Sequence, residues 1–453
     1  MITLRLHNTL TRSKDVFTPL DASHVRVYAC GPTVYDRIHV GNARPIVVFD
    51  VLVRLLRRLY PKVTYVRNIT DVDDKIITRA AERGIGIDRL CKDTIACFHE
   101  DVKALGALPP DHEPRATEFI SDMIVMIQTL IDGGFAYAAE GHVLFSVAAM
   151  PSYGALSGRS MEDMIAGARV EVAPYKRDPA DFVLWKPSHD DQPGWDNPFS
   201  DMPGRPGWHI ECSAMAKHYL GQTFDIHAGG LDLVFPHHEN EIAQSCCAHG
   251  TEFMAAYWLH NGYVTMGEEK MSKSLGNILA AHEAIAEHRG ETVRAALLAA
   301  HYRAPVALSD DALAEARNVL DRLYRAVGEV EADAGAVDAE FLDALADDLN
   351  TPAAMARLHE LAGAANRGDG PAAVALKSSA AMLGLLEQSA EAWARGGGSE
   401  DGMSDSDIDA AIEARNQART DRDFAAADRI RDDLAAQGIL LEDGPDGTIW
   451  RRN

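Results

Sequence analysis

The chain changes its hydrophobic rhythm several times, and each change marks an element. Val25 to Cys30 alternates branched and other residues as a short strand does. Gly31-Pro32 breaks it, and a polar loop runs to Asn42. From Ala43 to Leu59 apolar residues recur at helical spacing. Arg54, Arg57 and Arg58 stand late in that helix, where cations suit the dipole, and Pro61 follows as a stop. Val63 to Ile69 is β-rich again. Strand, loop, helix, strand is one βαβ unit and predicts a parallel sheet. A second helix follows, with Asp71, Asp73 and Asp74 near its start and Gly84 past its end.

Residues from about Pro109 to Pro206 are less regular and read as an insertion into the sheet domain. The sheet pattern resumes near Gly207. Phe224 to His227 predicts a strand, Gly229-Gly230 a turn, and Pro236 the first turn of a helix through Ala248. Tyr257 to Thr265 predicts another strand, followed by a loop from Gly267 to Asn277. After about Ala304, Ala-rich and Leu-spaced segments predict a helical bundle. Within it Asn350 or Thr351 caps a helix that has Pro352 at its first position. Gly396 to Ser399 and the acidic run to Asp409 read as a linker. A single helix from Ile412 to Gln437, stopped by Gly438, and a hairpin-like tail through Ile449 and Trp450 end the chain.

A length of 453 residues predicts two to four domains. No run of about 18 apolar residues exists, so no membrane span is expected. Met1 to Leu20 has no apolar stretch after a basic start and does not read as a secretory signal. Six cysteines in so long a chain suit a reducing cytosol, where thiols stay free to bind metal. The net charge of −24 argues against RNA binding by the whole surface, but leaves room for a local basic groove.

Three clusters carry chemistry. Cys30, Cys212, His237 and Glu241 have the identities of a zinc shell. Cys30 ends the first strand, at the sheet edge where ligands bind. His237 and Glu241, four apart on the expected helix, leave one face. Spacing alone leaves a second reading open, in which the cysteines are buried core thiols. His39-Val40-Gly41-Asn42 leads into the first helix, where backbone amides and the positive helix end can face a phosphate; an ordinary polar turn is the alternative. Lys270 and Lys273 stand in a loop between Gly267 and Gly276 and can follow a polyphosphate; a solvated basic loop is the alternative.

The order of these clusters is specific. A motif of the HIGH type in the first βα loop, with Asn42 in place of its last His, and an intact Lys270-Met271-Ser272-Lys273-Ser274 resemble the class I aminoacyl-tRNA synthetases. The stretches Tyr28 to Asp36, Arg67 to Asp71, Gly207 to Ser213 and Phe235 to Glu241 narrow the resemblance to the cysteinyl-tRNA synthetase family, from Leu6 to Arg452. The resemblance implies an α/β fold: a Rossmann-type parallel-sheet catalytic domain over 1–304 with an insertion at about 109–206. It also implies a helical-bundle anticodon-binding domain over 305–395, a linker over 396–409, and a small tRNA-binding domain over 410–453. The expected activity is ATP-dependent activation of cysteine and its transfer to tRNA(Cys), in the cytoplasm, by a monomer without an editing domain.

The cofactors so implied are one Zn²⁺, at Cys30, Cys212, His237 and Glu241, and Mg²⁺ with the ATP. His39, Gly41 and Asn42 are assigned to ATP, and Lys270 and Lys273 to the transition state. Thr70, Trp208 and Asp232 are assigned to the amino acid. A metal that accepts the substrate's sulfur separates cysteine from serine better than an apolar pocket does. Arg415, Arg419 and Arg422 form a stripe on the expected C-terminal helix, and Trp450 adds an aromatic beside cations. They either contact RNA, as the resemblance implies, or pair with Asp423, Asp428 and Asp432. A cysteine ligase acting on an amino sugar shares the catalytic half but lacks the last small domain, so Ile412 to Arg452 favours the synthetase.

Overall fold

The computed structural model describes residues 2–159, 173–266, 269–270, 279–396, 403–444 and 447–452. Two compact units are present: residues 1–316 with 339–355, and residues 317–338 with 356–453. The division passes inside the helix Asp310–Val327 and not at residue 304.

The first unit is built on a parallel four-stranded sheet. Numbered along the chain, its strands are β1 (Val25–Ala29), β2 (Val63–Arg67), β3 (Phe224–Gly230) and β4 (Ala255–Asn261). Their order across the sheet is β4-β3-β1-β2. β1 therefore lies between β2 and β3, and its connections leave in opposite directions. Such a reversal opens a crevice at the carboxyl ends of the central strands. The crossover from β1 to β2 is α1 (Val40–Leu59), whose apolar residues are buried nearly all round. It begins three residues earlier than the apolar periodicity, because His39 and Asn42 close a reciprocal cap. The strand β3 runs on through Gly230, where the sequence predicts a turn at Gly229-Gly230.

The insertion is more ordered than its sequence pattern. Ala136–Ala139, His142–Phe145, Phe182–Pro187 and Gly204–Pro206 form an antiparallel four-stranded sheet. Its strands are three to six residues long, too short to show a clear alternation. It leads into α2 (Trp208–Leu220), and α3 (Glu239–His249) follows β3. The last expected strand splits into β4 and Val264–Met266, because Gly262 bonds to Tyr302 instead.

The second unit is helical. Trp393 stacks on Tyr324 at 4.7 Å and donates to Asp321 at 2.7 Å. The expected helix over 412–437 is two helices, Asp405–Thr420 and Phe424–Ala436. Arg422 adopts φ +61° in the turn between them, and Asp423 caps the second. The first of these helices starts inside the expected linker. Ile439–Gly444 pairs with Gly447–Arg452, and Ile408, Ile412, Leu434, Ile439 and Trp450 form a small core there.

Candidate active site

Four polar side chains from three places in the chain meet at the crevice. Cys30 follows β1 and is tied to β3 by its amide, which donates to Ala228. Cys212 lies in the second turn of α2. His237 sits in a widened turn, Val234–His238, and Glu241 in the first turn of α3. The helix expected from Pro236 thus begins only at Glu239, because Phe235 is extended. The i, i+4 relation survives the kink, with His237 Nε2 3.1 Å from Glu241 Oε1.

The donor atoms of all four lie within 4.8 Å of one another. Cys30 Sγ is 3.8 Å from Cys212 Sγ and 3.5 Å from Glu241 Oε1. A tetrahedron with arms of about 2.3 Å to sulfur and about 2.0 Å to oxygen has S–S and S–O edges of roughly 3.8 and 3.5 Å. The residues therefore fit a zinc ion in both chemistry and spacing. Cys212, His237 and Glu241 are buried and Cys30 is half-buried, toward the cleft.

A second quartet, Cys30, His227, His238 and Glu241, also converges. It holds one sulfur instead of two and would leave Cys212 as an unused buried thiol. His227 Nε2 lies 2.9 Å from Glu241 Oε2, and His238 Nε2 lies 3.3 Å from Cys30 Sγ. These rings orient the outer faces of the first set's ligands. His238 reaches on to His260 at 2.8 Å, and His260 to Thr9 at 2.7 Å. Gly229 makes room: a Cβ there would come within 2.7 Å of the His238 ring. His209 contacts His237 at 2.9 Å. His209 and His238 are not singled out by the sequence, although each lies within one of the motif stretches.

Burial sets the protonation. It pushes the Cys30 thiol well above its usual value, with Cys212 and Glu241 adding to the effect. The bond from Cys30 favours the Cys212 thiolate, but burial and the charge of Glu241 outweigh it, so that thiol is raised too. Burial also drives His237 and His238 well below the usual imidazole range, and takes His209 and His260 down to about 3. The rings are neutral at physiological pH, with lone pairs available to a cation.

A cleft of about 730 Å³ runs from Cys30 past Trp208 and Asp232 to His39, Gly41 and Asn42. Trp208 stacks on His237 at 4.2 Å and walls the metal end. At the other end His39 Nδ1 accepts from the Asn42 backbone amide, which leaves Nε2 as the ring nitrogen that can donate. Asn42 Oδ1 accepts from the His39 amide, and among the described residues its Nδ2 has no partner. Thr70 does not line the cleft; it is buried, and its hydroxyl donates to Glu211 at 2.8 Å. Lys270 pairs by its backbone with Thr265, on the strand Glu269–Lys270. Lys273 lies outside the described residues.

In the second unit Arg415 is buried and grips Asp443 through two bonds of 2.9 and 2.8 Å. Trp450 is buried and donates to Asp409 at 2.7 Å. Both therefore have a place in the fold: Asp443 offsets the cost of burying the Arg415 guanidinium, and Asp409 satisfies the buried Trp450 N–H. Arg419, 47% exposed, stays at the surface, and Arg422 has left the stripe for the turn. Phe424, which opens the second helix beside that turn, is 62% exposed.

Three family models match in succession: the tRNA synthetases class I (C) catalytic domain over residues 16–318, the DALR domain over 340–391, and the cysteinyl-tRNA ligase anticodon binding domain over 403–451. A cysteine–tRNA ligase of Paramagnetospirillum magneticum is 60% identical over 99% of both chains. One from Rhodospirillum rubrum is 57% identical over the whole of both. Among solved structures, Mycobacterium tuberculosis methionyl-tRNA synthetase in complex with methionyl-adenylate aligns with a TM-score of 0.57 at 15% identity, covering 80% of this chain and 89% of that one. That likeness is one of fold. Among the described residues no helix is long and apolar enough to cross a membrane. The chain belongs to the cysteine–tRNA ligase family of class I aminoacyl-tRNA synthetases.

Proposed function

We propose that the chain activates cysteine with ATP and transfers it to tRNA(Cys), and that Cys30, Cys212, His237 and Glu241 hold a zinc ion that selects the thiolate. The observation that carries this reading is the tetrahedral spacing of two thiols, an imidazole and a carboxylate at the closed end of the cleft. When bound there, zinc supplies a soft Lewis acid for the substrate's sulfur, which an alcohol satisfies poorly.

Adenylate formation needs no general base, since the amino acid's carboxylate is already the nucleophile. The protein must align it with the α-phosphate and stabilise the developing charge. Asp232, exposed at the cleft wall, takes the α-ammonium group, and Trp208 closes the side-chain pocket. Thr70 acts from behind the wall, by orienting Glu211. His39 Nε2–H and the Asn42 Nδ2 side-chain amide donate to the phosphates at the amino end of α1, where the helix dipole favours negative charge. Lys270 and Lys273 neutralise the leaving pyrophosphate, and Mg²⁺ accompanies the nucleotide. A terminal ribose hydroxyl of the tRNA then attacks the acyl carbon, and AMP leaves.

For the second substrate, we assign to the anticodon loop Arg419, which shares the Asp443 carboxylate with Arg415 at 3.0 Å yet stays 47% exposed, and the exposed Phe424 as a stacking ring. Arg415 and Trp450 support that surface from beneath. In this reading activation belongs to residues 1–304 and anticodon contact to 305–395 and 410–453. The reaction is placed in the cytoplasm, on a monomer.

Aminoacylation of tRNA with cysteine against serine tests the reading. The expected preference exceeds the roughly 10²-fold that an apolar pocket supplies. Equal use of the two amino acids, or a cysteine-specific activity without zinc in the protein, would overturn it.

A further inference from the structure

Lys270 and Lys273 lie between two stretches of chain, Val264–Met266 before them and residues 279–281 after them. Both stretches stand against the start of α1, next to His39 and Asn42. The later one is joined to it by backbone. The Val40 amide donates to Leu279 at 3.1 Å, and the Ala281 amide donates to Ile38 at 3.0 Å. Bonds of that kind need no particular side chain. The earlier one is reached from α1 by the side chain of Arg44, two residues past Asn42. Arg44 Nη1 donates to the Tyr263 carbonyl at 2.8 Å, and Nη2 donates to the His301 carbonyl at 3.2 Å.

The His301 end of this fork is a fixed post. The Gly262 amide donates to Tyr302 at 2.8 Å. From the other side the buried Asp348 accepts from the Tyr302 hydroxyl and from Arg303 Nε, both at 2.9 Å. One guanidinium therefore joins α1, the chain entering Val264–Met266, and residues 301–303. Thr265 of that strand pairs in turn with Lys270.

Arg44 is fully buried. Among the described residues no carboxylate pairs with it, and its Nε has no partner. Burial lowers its pKa to about 10, so it stays charged at physiological pH. A buried cation without a counter-charge is costly, and an apolar side chain of similar length would fill the space without that cost. What the guanidinium adds is a planar fork whose arms reach two carbonyls at once. Tyr263 and Val264 line the cleft together with His39, Gly41 and Asn42, whereas Arg44 does not. It stands behind the wall of the nucleotide end and acts on that end through geometry.

We infer that Arg44 is a positioning residue for adenylate formation: its fork holds the strand Val264–Met266, and with it Lys270, at a fixed distance from His39 and Asn42. This rests on the proposed activation of cysteine by ATP, in which those groups meet one polyphosphate from two sides. Alignment of that kind is lost by small displacements.

The test measures cysteine-dependent pyrophosphate exchange into ATP and, separately, single-turnover transfer to tRNA from cysteinyl-adenylate formed in advance. For Arg44→Met, kcat for exchange falls on the order of 10²-fold, as a slight misplacement of positioned groups produces. Its bound zinc, KM for cysteine and transfer rate match those of the unaltered protein, because none of them uses Lys270. Arg44→Lys keeps the charge without the rigid fork, so its exchange stays well below that of the unaltered protein. Unimpaired exchange in Arg44→Met would overturn the inference. Full exchange in Arg44→Lys would reduce the role to charge and overturn it too, as would equal losses in exchange and transfer. If both variants melt well below the unaltered protein, Asp348→Asn carries the test. Asn tolerates the φ of +64° at that position, and the change loosens Arg303 from the same post. The same split between exchange and transfer is expected there, and unchanged exchange would overturn the inference. An unaltered protein with no cysteine-dependent exchange would instead sink the activation reading itself.

Discussion

Cys212 and His238 both lie against Cys30, yet they carry different weight. Cys212 supplies a donor atom at the tetrahedral spacing, whereas His238 bonds to a donor from outside. Cys212→Ser is therefore expected to lose bound zinc and cysteine-dependent pyrophosphate exchange together, checked by metal analysis and exchange rate on the same sample. His238→Ala keeps the metal at high concentration but weakens its affinity by about 10–100-fold. Asn42 departs from the motif's usual last His, and its two ends are used differently: oxygen on the helix cap, amide toward the cleft. Asn42→Ala is expected to lower kcat for exchange on the order of 10²-fold, the usual loss for one donor to a developing oxyanion. The KM for cysteine should move little, since Asn42 is at the cleft's other end.

The turn between Asp405–Thr420 and Phe424–Ala436 decides what the C-terminal unit presents. A continuous helix would have lined up three arginines; the break turns Arg422 aside, and Phe424 stands exposed next to it. Phe424→Ala is expected to raise the KM for tRNA by about tenfold or more, as removing one base–aromatic stack does, with exchange unchanged. Beneath this surface the Arg415 guanidinium first, then Thr448, hold the Asp443 carboxyl well below the usual carboxylate range. A depressed value stabilises the fold above the ordinary Asp pKa of about 3.9, and that contribution disappears as pH falls toward the depressed value. Asp443→Asn should therefore lower the unit's melting temperature at pH 7. The gap from the unaltered protein should close as the pH drops below about 4.

On the scale of the whole molecule, an acidic body must bind a polyanion through local cations. A chain ending at Gly396 is expected to keep pyrophosphate exchange while kcat/KM for tRNA falls at least about tenfold, the loss expected from one stacked base alone. Comparable loss of both activities would show that the last segment supports the catalytic fold instead.

Much of this protein is readable without coordinates, because some of its signals are local. The βαβ start, the helix cap at Asn350 and the motif stretches that hold the candidate zinc donors each declare themselves within a few residues. The small antiparallel sheet in the insertion does not, since strands of three to six residues carry too little periodicity. Arg415 and Trp450 look like RNA contacts in one dimension, because sequence shows a charge or a ring but not the carboxylate that buries it. The residue types and order thus determined the family, the chemistry and the likeness to a zinc shell. Tertiary structure alone decided which histidines back the donors, which arginines are neutralised, and that Arg44 joins α1 to the chain that leads to Lys270. Those outcomes depend on distances between residues far apart in the chain, and only the packed sheet, with its reversal at β1, sets them.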